Sequence, residues 1–256
     1  MPQSESSRPI AAVLSTFKVL EEVAQRQPVG VSEIARNTGM PKSTVQRCLV
    51  TLNHAGWLRV VDPERARWGV TTKPLGIGLR AAGEQGLREA AKPYLEELRD
   101  RTDETIHLSV RDGDGLIILA RCDSTLPVRT YVDVGAKAPI YTSSGIAMLA
   151  HLPEETVDAL IDAVLDNERS RTAVTRRQIL REVEATKERG YAARANSWWR
   201  KEVSAVAAAV PGLAGRPIAA VAVSIPSSRF DLDRVEFWGD SAVDAAERIG
   251  KALEGF

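Results

Sequence analysis

Lys42, Ser43, Thr44, Gln46 and Arg47 crowd the start of the stretch Pro41–Leu52, whose apolar residues Val45, Leu49 and Leu52 are spaced i, i+4, i+7. That spacing predicts a short helix with one buried stripe and a polar remainder. Pro41 suits its first helical position, where a missing N–H costs nothing. Gln46 and Arg47 have side chains that can bond base edges bidentately. Lys42, Ser43, Thr44 and the helix N-terminus can hold phosphates. The same residues also suit an ordinary solvated face, so the neighbouring elements must decide. Catalytic patterns are absent: there is no Gly-x-Ser-x-Gly elbow, no His-Glu-x-x-His and no Cys-x-x-Cys. Three scattered histidines lack the spacing of a metal site. The expectation is a non-enzyme without metal or cofactor.

The bulk numbers are compatible with this. The 256 residues suffice for two domains, and 44% hydrophobic with 27% charged residues is the composition of a globular protein. No run approaches the ~18 consecutive apolar residues of a membrane span. Met1–Arg8 has no apolar signal core and reads as a polar tail. Cys48 and Cys122 lie in apolar contexts of different segments, which argues against a disulfide framework or zinc knuckle and fits a reducing cytoplasm. Net charge is zero, but residues 1–78 carry ten Lys/Arg against six Asp/Glu, leaving +4 there and −4 in the remainder. This asymmetry suits a basic nucleic-acid module joined to an acidic partner domain.

The elements around the polar helix favour groove reading. Ile10, Val13, Leu14, Phe17, Leu20 and Val23 recur with helical spacing, and Pro28-Val29-Gly30 ends that helix. Val31–Thr38 makes a second, short helix capped by Gly30 or Ser32. Gly39-Met40 then turns the chain into the polar helix. Two short helices with a tight glycine turn form a helix-turn-helix, whose second helix enters the groove. Trp57–Val61 and Trp68–Thr71 read as two strands around the turn Asp62–Arg67. This hairpin wing places Arg65 and Arg67 near its tip, where phosphates or the minor groove would meet them. Trp57 and Trp68 fit a clamp between wing and helices better than base stacking.

Beyond Leu79 a linker helix is expected, with a restart or kink at Pro93. Thr105–Arg111 and Leu116–Cys122 form a hairpin about Asp112–Gly115, and Val128–Asp133 reads as a third strand. His107 sits in an apolar alternation that suits a core histidine. Helices follow near 144–152, 154–165 and 176–189, then strands at Val203–Val210 and Ile218–Ile225 and a last helix over 232–253. Antiparallel strands with helices gathered between them make an α+β domain.

Val31-Ser32-Glu33-Ile34-Ala35, Gly39–Val45, Gly56-Trp57-Leu58 and Pro74–Leu79 together resemble the winged helix-turn-helix of the IclR family of bacterial transcriptional regulators. Val134–Pro139, Thr142–Gly145, Ala147–Pro153, Arg189–Ala192 and Ile218–Pro226 resemble its effector-binding domain, which is related in shape to GAF domains. The resemblance covers roughly residues 8–254. It implies an α+β fold: a winged helix-turn-helix over 1–78, a linker helix over 79–91 and, over 92–256, a GAF-like effector-binding and oligomerisation domain with a curved antiparallel sheet. In the family the linker carries dimer contacts, for which Leu79, Ala82 and Leu87 are the candidates here. Three departures stand out: Ile146 occupies a commonly basic position, the loop before Gly145 is one residue short, and Arg194 with Asn196–Lys201 replaces a shorter acidic loop.

The resemblance further implies a regulator, a repressor by family habit, that binds double-stranded operator DNA as a homodimer or tetramer. A small-molecule effector would lie between the sheet and the Thr142–Gly145 turn. Ser143, Ser144 and Gly145 are small residues at a helix start, which suits a carboxylate, and Ser224 can add a hydroxyl. Ser143 or Ser144 can equally be a helix cap. Arg129, Tyr131 and Arg194 would supply charge or a ring edge if they point inward. Trp198 and Trp199 fit a lid or a packed loop. The expected ligand is a small organic acid or aromatic metabolite. A ligand-independent architectural DNA-binding protein is the alternative, distinguished by whether Thr142–Gly145 and Ser224 converge on a cavity.

Overall fold

A computed structural model describes residues 9–74, 77, 84–168, 174–212 and 216–254. They fall into two compact units, 1–85 and 86–256. Leu79 and Ala82, and most of the turn 74–79, lie outside the described residues.

The first unit runs α1 (Ala11–Arg26), β1 (Val29–Gly30), α2 (Val31–Thr38), α3 (Lys42–His54), β2 (Leu58–Asp62) and β3 (Arg67–Val70). The strands form an antiparallel sheet of order β1-β3-β2. Gly39, at φ +72°, makes the left-handed turn between α2 and α3 that few other residues adopt without strain. Val45, Leu49 and Leu52 are buried as their spacing predicts, with Val19, Val23, Ile34, Leu58 and Trp68. Trp68 thus anchors the wing in the core. The apolar stripe of α1 is only half used: Ile10, Val13, Leu14 and Phe17 remain exposed.

The second unit begins with α4 (Glu84–Thr102), followed by β4 (Thr105–Asp112), β5 (Gly115–Cys122), β6 (Lys137–Pro139), α5 (Ser143–Leu149), α6 (Glu154–Glu168) and α7 (Arg176–Arg189). Then come β7 (Ala192–Arg194), β8 (Val203–Pro211), β9 (Pro217–Pro226), two short 3-10 turns and α8 (Val235–Glu254). The six strands pair antiparallel in the order β6-β5-β4-β9-β8-β7. On one face Ile106, Leu108, Val206, Val221 and Val223 pack with Leu95 and Leu98 of α4 and Trp238 and Ile249 of α8. On the other, Ala207, Ala220 and Ala222 meet α5, α6 and α7 through Ile146, Met148, Ile161 and Ile179. Large residues on one face and alanines on the other leave room on the second.

Three sequence expectations change. The helix is not interrupted at Pro93, which lies inside α4. Leu87, Ala91, Leu95 and Leu98 are all buried on one side of it, and that packing outweighs the roughly 3 kcal/mol an internal proline costs. Leu87, a candidate dimer contact, therefore belongs to this unit's own core. Val128–Asp133 is not a strand. Side-chain bonds hold it instead: Thr130 Oγ1 donates to the Ser224 carbonyl at 2.9 Å, and Arg121 Nη1 to that of Val132 at 2.8 Å. The third strand is β6. A bulge between Leu108 and Ser109 breaks the β4–β5 register, a feature that bends a strand.

Candidate functional site

On α3 the buried stripe fixes which side chains face outward. Lys42, Ser43, Gln46 and Arg47 are exposed and Thr44 is half-buried. Pro41 stands one place outside the helix, at the N-cap, and makes no side-chain cap. The first-turn N–H groups of Ser43 and Lys42 thus share an exposed end with the lysine. Arg65 is exposed at the wing turn, where its N–H donates to Asp62 Oδ1 at 3.1 Å and its guanidinium reaches solvent. Arg67 is placed differently. It starts β3 and its guanidinium pairs with Glu33 of α2. Glu33 also accepts the Gly30 N–H at 3.3 Å, and these partners, Gly30 first, hold its carboxyl below the usual carboxylate range. Arg67, expected with Arg65 to meet phosphates or the minor groove, thus has an acid as its neighbour across the module.

In the second unit a partly open cavity lies on the alanine side of the sheet. Its floor is His107 and Ser109 of β4, Ala205 of β8, and Ala222 and Ser224 of β9; Leu116, Ile118 and Ala138 close one side. Thr142, Ser143 and Ser144 come from the turn into α5, Thr130 and Val132 from the loop after β5, Ser197, Trp199 and Arg200 from the loop before β8, and Val203 from the start of β8. The walls are mainly apolar, with hydroxyls, one imidazole and one guanidinium.

The structure brings Ser143, Ser144 and Ser224 to this cavity, as the sequence predicts. The cap of α5 is Thr142, whose Oγ1 accepts the Gly145 N–H at 3.5 Å. Ser143 Oγ donates to the Ala205 carbonyl at 3.1 Å and so ties the turn to the sheet. The other four expected residues do not line the cavity. Gly145 serves close packing, since a Cβ there would lie 1.9 Å from the Ile140 carbonyl oxygen. Arg129 is exposed and reaches back to the Leu126 carbonyl at 3.4 Å. Tyr131 is exposed, with the Arg121 guanidinium 3.8 Å from its ring centre. Arg194 lies 3.7 Å over Trp198.

Sequence reasoning missed the cation that does line it. Arg200 Nη1 donates to the Tyr131 carbonyl at 3.1 Å, and the guanidinium lies 4.6 Å from the ring centre of Trp199. Trp198 and Trp199 both pack against the core on the alanine side, and Trp199 also faces the cavity. His107, expected as a core histidine, has a second role as well. It is buried, but it lines the cavity, and its Nδ1 lies 2.9 Å from Ser224 Oγ. Burial foremost, then the charge of Arg121, brings its pKa down to about 4; Arg200 adds to this, and Asp123 and the Val132 carbonyl oppose it. The imidazole is neutral at neutral pH. A usable signal existed in the two-residue spacing of His107 and Ser109, which puts both on one face of a strand.

Residues 79–251 match the family model described as bacterial transcriptional regulator IclR C-terminal. The chain belongs to the IclR family. Residues 12–62 match the family's helix-turn-helix domain. Among the relatives, the transcriptional regulator KdgR of Escherichia coli is 28% identical over 95% of this chain and 93% of its own. The Escherichia coli transcriptional repressor IclR is 29% identical over 93% and 88%. The Thermotoga maritima IclR crystal structure shares the fold with a TM-score of 0.73, at 24% identity over 94% of this chain and 98% of that one. An IclR homolog from Microbacterium hydrocarbonoxydans, complexed with 4-hydroxybenzoate, has a TM-score of 0.78 at 22% identity over 96% and 100%. IclR-family proteins are DNA-binding transcriptional regulators, and no helix among the described residues is long and apolar enough to cross a membrane.

Proposed function

We propose that this IclR-family member is a repressor that reads double-stranded operator DNA with α3 and answers to a small organic acid in the second unit. The observation that carries the reading is the pairing of an exposed polar face on α3 with a partly open cavity in the second unit. Gln46 and Arg47 read base edges, while Lys42, Ser43, Thr44 and Arg65 hold phosphates. Arg67 fastens the wing through Glu33. The domain plan is a DNA-binding module over 1–78 and an effector-binding and oligomerisation domain, with the expected linker over 79–91 running into α4, whose Leu87 and Ala91 already pack in that domain's core. The protein acts in the cytoplasm as a homodimer or tetramer, for which the exposed Ile10, Val13, Leu14 and Phe17 of α1 offer apolar surface.

Arg200, the cavity hydroxyls and the apolar walls suit an acid with an apolar or aromatic body. The convergence of Ser143, Ser144 and Ser224 on one cavity favours this over a ligand-independent architectural protein. A catalytic reading of the Ser224–His107 pair is weaker. The buried Nε2 has no hydrogen-bond partner, hence no carboxylate to orient it. With a pKa of about 4 the imidazole is also a poor general base at neutral pH. The test is operator binding followed by fluorescence anisotropy while aromatic and aliphatic carboxylates are added. Release or tightening by an acid supports the reading, and indifference to all of them supports the ligand-independent one.

A further inference from the structure

α3 carries one large apolar side chain that its own module does not use. Val50 is 53% exposed. It neither makes nor borders the module's core, to which the helix contributes Val45, Cys48, Leu49 and Leu52. The outward surface around it is polar, with Ser43, Gln46, Arg47, Thr51 and Asn53 all exposed. A β-branched residue is also a poorer helix former than alanine, so a purely solvent-facing position gains nothing from valine.

The place of Val50 on the helix gives it a definite neighbour. Ser43, Gln46, Arg47 and Val50 are spaced i, i+3, i+4, i+7 and therefore share one face. Val50 follows Gln46 by about one turn, or about 6 Å along the axis. Base pairs rise about 3.4 Å each, so with Gln46 and Arg47 on base edges Val50 meets the groove one or two steps further on.

The chemistry of what it meets there is restricted. Valine can neither donate nor accept a hydrogen bond, and polar base edges pressed against it would lose water without gaining a partner. The major groove displays one apolar group, the C5-methyl of thymine. It is the group that the Val50 methyls can cover without that loss.

We propose that Val50 is a specificity-determining residue that reads a thymine methyl group in the operator, beside the base pairs contacted by Gln46 and Arg47. This rests on the reading of α3 as the groove helix and adds one apolar contact to its polar ones.

The test uses the full chain and a duplex enriched from random-sequence DNA. Each thymine of the bound motif is replaced in turn by deoxyuridine, which removes the methyl group and leaves the hydrogen-bonding edge unchanged. At one thymine, wild-type affinity is expected to fall about fourfold, the weight of one buried methyl group. Val50→Ala should bind the thymine and uracil forms of that duplex with a ratio close to one, so that the two losses are coupled. The substitution is at an exposed helix position, which keeps the fold intact. If no uracil substitution lowers wild-type affinity by twofold, or if Val50→Ala keeps the wild-type ratio, Val50 reads no methyl group. In that event loss of sequence preference in Arg47→Ala would still leave α3 as the groove helix. If selection yields no motif, α3 is not the reading helix, and the Val50 contact falls with it.

Discussion

His107 Nδ1 and Ser224 Oγ, 2.9 Å apart, join the neighbouring strands β4 and β9 at the bottom of the cavity. The contact spans 117 residues of sequence and links a side chain that looks like core to one that looks like site. Its burial gives the pair a measurable signature in the stability of the protein.

The folded-state pKa of His107, about 4, lies below its ordinary value of 6.5. The unfolded chain therefore takes up the proton first. Stability is fully present above pH 6.5, declines as pH falls toward 4 and is no longer changed by this group below that. Between pH 7.5 and 5.5 the loss from His107 is on the order of 1 kcal/mol. His151, whose pKa burial also lowers, contributes in the same direction. Urea unfolding of wild type and His107→Gln at the two pH values isolates the His107 share; equal pH dependence in both would contradict the burial argument.

Gly145→Ala should be strongly destabilising. The new Cβ would meet the Ile140 carbonyl oxygen at 1.9 Å, and that atom is backbone, which cannot rotate aside. A loss of about 2 kcal/mol or more is expected, read by urea or thermal unfolding. A variant as stable as wild type would mean that the turn into α5 yields.

Arg65 and Arg67 are two positions apart but have different electrostatic roles. Arg65→Ala should lower the slope of log affinity against log salt by about one, because one phosphate contact is lost. Arg67→Ala should weaken operator binding through a loosened wing while leaving the slope unchanged, since its charge is already matched by Glu33. Salt titrations of both variants on one operator separate the two, and identical slopes would overturn the distinction.

Arg200 and Arg194 divide in a similar way. Arg200→Ala should weaken acid binding about tenfold or more, whereas Arg194→Ala, whose guanidinium is occupied over Trp198, should leave it within about twofold. Calorimetric titration with the tightest acid checks both. Equal losses would return Arg194 to the cavity.

Much of the architecture is legible in the sequence because burial is periodic. Val45, Leu49 and Leu52 announce α3, and the alternation of β4 with the apolar runs of β5, β8 and β9 announces the sheet. The same periodicity misleads at Val128–Asp133. Thr130 and Val132 are buried while Arg129, Tyr131 and Asp133 are exposed, so the alternation is real. It reflects a loop with one wall on the cavity and the other in solvent, held by side chains instead of a backbone ladder. Pro93 misleads for the opposite reason, since a local signal yields to the packing of Leu87, Ala91 and Leu95. The cavity's cation was illegible because Arg129 and Arg200 sit in loops and Arg194 ends β7, and only the chain paths decide which guanidinium reaches the ligand space.

The most direct measurement of the central claim is in vitro selection from random duplex DNA with wild-type protein and Arg47→Ala in parallel. The account predicts that wild type enriches a defined motif and that the variant loses its preference at the base pairs Arg47 reads, by a discrimination of roughly 1–3 kcal/mol, while keeping salt-dependent non-specific binding. If wild type enriches no motif, or the variant enriches the same motif as strongly, α3 does not read operator DNA in the way its exposed face indicates.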